Sequence, residues 1–108
     1  MGETEYCVVF ITTDGPEEGK RVADRLLEAK VAACVNIVPR VSSWYWWQGE
    51  VESGDESLLV VKTKRALLDE LASVVKAAHS YEVPEIIALP IVWGSTSYLE
   101  WLGQQVHE

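Results

Sequence analysis

At 108 residues and 48% hydrophobic content, the chain fits one domain, residues 1–108, around one core, and is too apolar to be disordered. No run reaches the ~20 apolar residues of a membrane span, and a formal net charge of −8 repels phosphate backbones, so neither a membrane nor a nucleic acid is expected as a partner. Met1-Gly2-Glu3-Thr4-Glu5 has no basic stretch ahead of an apolar one, and Tyr6 stands where a myristoylation motif after Gly2 wants Ser or Thr, so the expected location is the cytoplasm.

Cys7-Val8-Val9-Phe10-Ile11 is a short β-branched run closed by Thr12-Thr13-Asp14-Gly15, which predicts a first strand. Pro16 suits the first position of a helix, and Glu17 and Glu18 suit its positive end. Val22, Ala23, Leu26 and Leu27 share a face, and the helix is expected to run to about Lys30. Ala32 to Val41 reads as a second strand, in which Pro39 calls for a sheet edge or a bulge. Gln48-Gly49 reads as a hairpin tip, with Trp44, Tyr45, Trp46 and Trp47 on the incoming arm. The returning arm passes a candidate bulge at Ser53-Gly54-Asp55 and becomes a third strand over Ser57–Lys62.

Thr63 is the expected cap of a second helix, whose apolar face is Leu67, Leu68, Leu71, Val74, Val75 and Ala78. It should stop near His79-Ser80-Tyr81, ahead of Pro84, and a fourth strand is expected over Glu85–Val92. Ser97-x-x-Glu100 has the form of a capping box for a last helix carrying Tyr98, Trp101 and Leu102. The order β-α-β-β-α-β plus a terminal helix predicts an α+β, ferredoxin-like sandwich, with strand order 4-1-3-2 and a long hairpin between strands two and three. In that order another strand separates Cys7 from Cys34, and both read as free thiols outside any C-x-x-C pair.

Val8-Val9, Leu58-Leu59 and Ile86-Ile87 place apolar side chains on both faces of this sheet, whereas a sheet with one wet face alternates. The two long helices cover one face only. Four strands of ~5 residues present roughly 300 Å², worth about 8 kcal/mol at ~25 cal/mol/Å². Association alone costs ~4–15 kcal/mol. Trp44, Tyr45, Trp46 and Trp47 supply the further contact area an interface needs, so self-assembly is expected through the bare face and this arm. The alternative is that the terminal helix folds back over the bare face.

The ligand supply for a soft metal is thin: His79, His107, Cys7 and Cys34. His79 reads either as a weak metal ligand joined by Glu82, Glu85 or another subunit's carboxylates, or as a helix-end histidine. Glu50, Glu52, Asp55 and Glu56 read as a solvated arm or a weak oxygen site for a hard cation. There is no phosphate loop, nucleophile elbow or Ser–His–Asp grouping, so no enzyme is expected.

Ala32-Ala33-Cys34-Val35-Asn36-Ile37-Val38-Pro39, Trp47-Gln48-Gly49-Glu50-Val51, Leu59-x-x-Lys62-Thr63, His79-x-Tyr81-x-x-Pro84-Glu85-Ile86 and Tyr98-Leu99-x-Trp101-Leu102 together resemble the CutA divalent-cation-tolerance family, over about Val8 to Leu102. The resemblance implies a homotrimer shaped like PII-type signalling proteins, with Trp44, Tyr45, Trp46 and Trp47 at the trimer interface. It implies a link to tolerance of Cu(II) or another divalent cation, with no obligatory cofactor. Some members carry a Cys at the end of the first strand and a His-His pair before the Tyr, where copper binding has been proposed. Here those positions hold Ile11, Ala78 and His79, so His79 alone is retained. Lys62, Tyr81 and Glu85 match family positions that are candidates to line an intersubunit cleft; the alternative is a Lys62–Glu85 ion pair beside a packed Tyr81. Two functions follow: a trimer in divalent-cation tolerance that binds metal weakly, or a PII-like signalling or scaffold trimer that takes a small molecule or protein partner in its clefts.

Overall fold

The computed structural model describes residues 5–107, so the readings made on Met1–Thr4 lie outside the described residues. In chain order the elements are β1 (Tyr6–Thr13), α1 (Pro16–Glu28), β2 (Cys34–Trp47), β3 (Glu50–Lys64), α2 (Leu68–Ala78), β4 (Ile86–Pro90) and α3 (Thr96–Gln105). The strands form one sheet in the order β2-β3-β1-β4, with every neighbouring pair antiparallel. This is the ferredoxin-like α+β sandwich expected from the element order, with a long β2–β3 hairpin and a C-terminal helix.

The alternation of β1 decides where the core sits. Val9 and Ile11 are fully buried against the helices, while Val8 and Phe10 face the other way and are half-buried. Val61 and Leu59 lie opposite Val9 and Ile11, and Val22 and Leu26 of α1 with Leu71 and Val75 of α2 close the layer. Gly19 lets α1 sit close to the sheet, because a Cβ there would stand 3.2 Å from Thr13 Oγ1 and 3.3 Å from Leu59 Cδ2.

The arm is set by its turn. Trp47 pairs with Glu50, leaving Gln48 (φ 50°) and Gly49 (φ 84°) as a two-residue turn with positive φ at both positions. That turn matches the twist of the flanking strands, and Gly adopts it without penalty. β2 therefore continues past the expected end at Val41 up to Trp47. The bulge lies at Pro39-Arg40, between the pairs Val38–Leu58 and Val41–Glu56, whereas Ser53-Gly54-Asp55 pairs regularly. Pro39 has no N–H to give the ladder, and its carbonyl instead accepts the Ser57 hydroxyl at 2.6 Å.

Two helix caps differ from those expected. The Thr63 hydroxyl is buried and donates to the Val31 carbonyl at 2.6 Å; α2 is entered through a 3-10 turn over Arg65–Leu67. α3 is capped by Ser95, whose hydroxyl accepts the Tyr98 N–H, rather than by Ser97. β4 is shorter than expected and ends at Pro90, which the sheet tolerates because β4 is an edge strand.

The sheet face away from α1 and α2 is partly covered by α3. Gly103 approaches the Tyr6 ring and the Lys64 stem, both at one end of that face. Further along, Val38, Ile87 and Leu89 remain 40%, 52% and 49% exposed. Cys7 on β1 and Cys34 on β2 are both free, with β3 lying between their strands. No helix among the described residues is long and apolar enough to cross a membrane.

Candidate functional site

Glu18 lies on the stripe of Val22 and Leu26, four and eight positions before them in the helix repeat, so its side chain is drawn inward at the start of α1. It is nearly fully buried and is met by donors from three sides. The Asp14 N–H reaches Oε1 at 2.7 Å, the Ser80 N–H reaches Oε2 at 2.7 Å, and the Arg21 guanidinium stands 3.3 Å from Oε2. Burial pushes the Glu18 carboxyl up, but hydrogen bonds from Ser80 and Asp14 outweigh it and leave the group below its usual range.

His79 caps α2 beside this carboxylate, and its side chain is fully buried. Its Nε2–H donates to the Thr12 carbonyl at 2.7 Å, and its Nδ1 accepts the Tyr81 N–H at 3.1 Å, 3.7 Å from Glu18. These two partners define one neutral tautomer. Both ring nitrogens are engaged, so a metal ion would reach His79 only by displacing Thr12 or Tyr81.

Glu18 and His79 together hold the α2–β4 segment so that Tyr81 turns toward the hairpin. The Tyr81 hydroxyl donates to Glu56 Oε2 at 2.8 Å, and the ring lies 4.7 Å from that of His79. Burial, the bond to Glu56, and the nearby Asp14 and Glu18 charges all push the Tyr81 hydroxyl well above its ordinary value. Between this segment and the arm lies a cleft of about 780 Å³, walled by Trp44, Tyr45, Trp47, Glu56, Tyr81 and Glu85.

The structure thus brings Tyr81 and Glu85 together with Trp44, Tyr45 and Trp47, and leaves Lys62 apart from them. Lys62 pairs across the sheet with Cys34 and Val8 and donates to Asn36 Oδ1, so the Lys62–Glu85 ion pair given as the alternative is not formed. Trp46 is 75% exposed at the arm. Asp55, taken with the arm carboxylates, pairs with Arg40 at 3.0 Å. Among the described residues no three His, Cys, Asp or Glu side chains converge as a metal centre. His107 Nε2 stands 2.9 Å from Glu70 Oε1, tying the end of the chain to α2.

Sequence reasoning placed Glu18 only at a helix start, Glu56 on a solvated arm or a weak oxygen site, and gave Thr12 no role at the site. Glu18 had a usable signal, since an acid in register with Val22 and Leu26 is drawn to the buried face. Glu56 and Thr12 had none, because their meeting with Tyr81 and His79 depends on strand register.

The family model described as "CutA1 divalent ion tolerance protein" matches residues 7–105. Protein CutA 1, chloroplastic, of Oryza sativa subsp. japonica is 52% identical over 101 residues, 94% of this chain and 57% of that protein. The divalent-cation tolerance protein CutA of Thermus thermophilus is 50% identical over 97 residues, 90% of this chain and 94% of that one. The chain therefore spans just over half the length of its plant relative and nearly all of the bacterial one. The crystal structure of CutA1 from Oryza sativa superposes with a TM-score of 0.94 at 50% identity, covering 97% of this chain and 96% of that one. The structure of the Thermus thermophilus divalent cation tolerance protein superposes with a TM-score of 0.91 at 48% identity, covering 94% and 98%. The chain belongs to the CutA1 divalent-cation-tolerance family.

Proposed function

We propose that this non-catalytic chain acts in divalent-cation tolerance as a cytoplasmic homotrimer that binds Cu(II) or another divalent cation weakly. The observation that carries the reading is the sheet face left by α1 and α2, where Val38, Ile87 and Leu89 keep about half their surface in water. The exposed Trp44, Trp46 and Trp47 of the arm add the aromatic area that interfaces favour. The cyclic association of three copies would bury both. Metal binding is weak on this reading because His79 has both ring nitrogens engaged and the soft donors Cys7 and Cys34 are on different strands. Two free thiols suit a reducing compartment.

Sedimentation velocity at micromolar concentration tests assembly: a particle of three chains is expected, and a folded single chain would refute it. Calorimetric titration with Cu(II) and Zn(II) tests the metal, with low-affinity heat expected and none at millimolar metal refuting direct binding.

The cleft favours a second reading, a PII-like signalling or scaffold trimer that takes a small molecule or partner near Tyr81 and Glu85. A thermal-shift screen of metabolites against metals separates the two.

A further inference from the structure

The arm leaves the subunit as a two-stranded ribbon. β1 pairs with β3 only as far as Thr13–Ser57, so beyond Ser57 the ladder continues between β2 and β3 alone, from Val41–Glu56 to Trp47–Glu50. Two-stranded ribbons twist more than wider sheets, and a lone hairpin is marginal in water. The arm is not seated on its own subunit through its tryptophans either, since Trp44, Trp46 and Trp47 are 73%, 75% and 61% exposed. Its direction is therefore fixed at its base.

That base carries three ties. Two act inside the ribbon: the Ser57 hydroxyl donates to the Pro39 carbonyl across the bulge, and Arg40 pairs with Asp55. Both join β2 to β3 and leave the direction of the pair open. The third reaches outside it, where the Tyr81 hydroxyl donates to Glu56 Oε2 at 2.8 Å. Among the described residues no other hydrogen bond or ion pair joins residues 41–56 to the body of the subunit across the α2–β4 segment. Tyr81 is itself held, its N–H on Nδ1 of the fully buried His79 and its ring 4.7 Å from that imidazole. A continuous set of contacts thus runs from the core to the first residue of the free ribbon.

The leverage at this point is large. From Glu56 to Glu50 the arm runs roughly 20 Å at ~3.4 Å per residue. A turn of about 10° at the base, small against the ~20–25° between neighbouring strands, moves the tip by about 3.5 Å. Side chains packed at interior density do not tolerate such a shift.

We propose that the Tyr81–Glu56 bond is a positioning contact for self-assembly: it sets the angle at which the arm leaves the subunit, and so where Trp44, Trp46 and Trp47 meet a second copy of the chain. The inference deepens the assembly reading and rests on it. Each subunit presents its arm already at the bound angle, which lowers the ordering cost of association.

Sedimentation velocity over a dilution series tests this on the parent, Tyr81→Phe, Glu56→Ala, Glu56→Gln and the Tyr81→Phe/Glu56→Ala double variant. The parent is expected as a particle of three chains. Tyr81→Phe keeps the ring and loses the donor, and it should dissociate at a concentration about fivefold or more above the parent's. Glu56→Ala should match it, while Glu56→Gln, whose amide oxygen still accepts, should stay closer to the parent. The double variant should be no weaker than either single one, because the two side chains act through one bond. Additive losses, or single variants that dissociate as the parent does, would overturn the proposal and leave the assembly reading in place. A parent that sediments as one folded chain would overturn both. Should Tyr81→Phe fail to fold by circular dichroism, the Glu56 variants carry the same test: loss with Ala and retention with Gln is expected, and equal behaviour overturns it.

Discussion

Two sets of glutamates around the α2–β4 segment are treated by the fold in opposite ways. Glu18 is buried and has hydrogen bonds from Asp14, Ser80 and Arg21. Glu52, Glu82 and Glu85 face a cleft and have no partner among the described residues. The first pattern is that of a structural carboxylate, whose desolvation is offset by donors fixed in place. The second is that of groups whose charge stays hydrated. Acidic residues near a cleft are therefore sorted by their donors rather than by their distance from it.

Substitutions that remove one set and spare the other sharpen this contrast. Glu18→Ala should have the largest effect, a loss of about 3 kcal/mol in urea unfolding, because it takes the carboxylate from the Asp14 and Ser80 amides and the Arg21 guanidinium together. The same carboxylate sets an acid limb. Its folded pKa lies below the unfolded value of ~4.3, so its contribution is complete above that value and is lost as pH falls through the folded pKa. Stability measured from pH 6 down to pH 3 (a range of about three units around the Glu value) should fall more steeply in the parent than in Glu18→Gln.

His79→Ala comes next, at about 2 kcal/mol, since the Thr12 carbonyl and Tyr81 N–H both lose their partner. Amide exchange should quicken at Tyr81 in that variant. Tyr81→Phe removes a single bond to Glu56 and should cost about 1 kcal/mol. Glu52→Gln and Glu82→Gln complete the series, within about 0.5 kcal/mol of the parent by thermal melting. A loss comparable to that of Glu18→Ala in either would erase the distinction between the two sets.

The hairpin tip was legible because Gln48-Gly49 between aromatic and alternating runs admits few conformations. The strand order followed from the sequence of elements, because crossover handedness leaves few choices. Caps were less legible. Thr63 and Ser97 both satisfy a local rule, yet Thr63 is claimed by the Val31 carbonyl across the fold, and Ser95 is better placed for α3. Local hydrogen-bond preferences yield where a buried carbonyl needs a donor. The cleft was only half legible: Tyr81, Glu85 and the arm aromatics were named, but the parts taken by Glu18, Glu56 and Thr12 follow from register and burial, which a linear pattern does not carry.

The extra residue at Pro39-Arg40 reverses which side of the ribbon each later side chain occupies. Before it Asn36 and Val38 share a face with Leu58 and Val60; after it Ser43, Tyr45 and Trp47 stand opposite Gly54, Glu52 and Glu50. Odd positions have taken over from even ones. A ladder continued unbroken from Val38–Leu58 would instead set Trp44 against Glu52 and Trp46 against Glu50, so one backbone irregularity chooses which aromatics meet the acids.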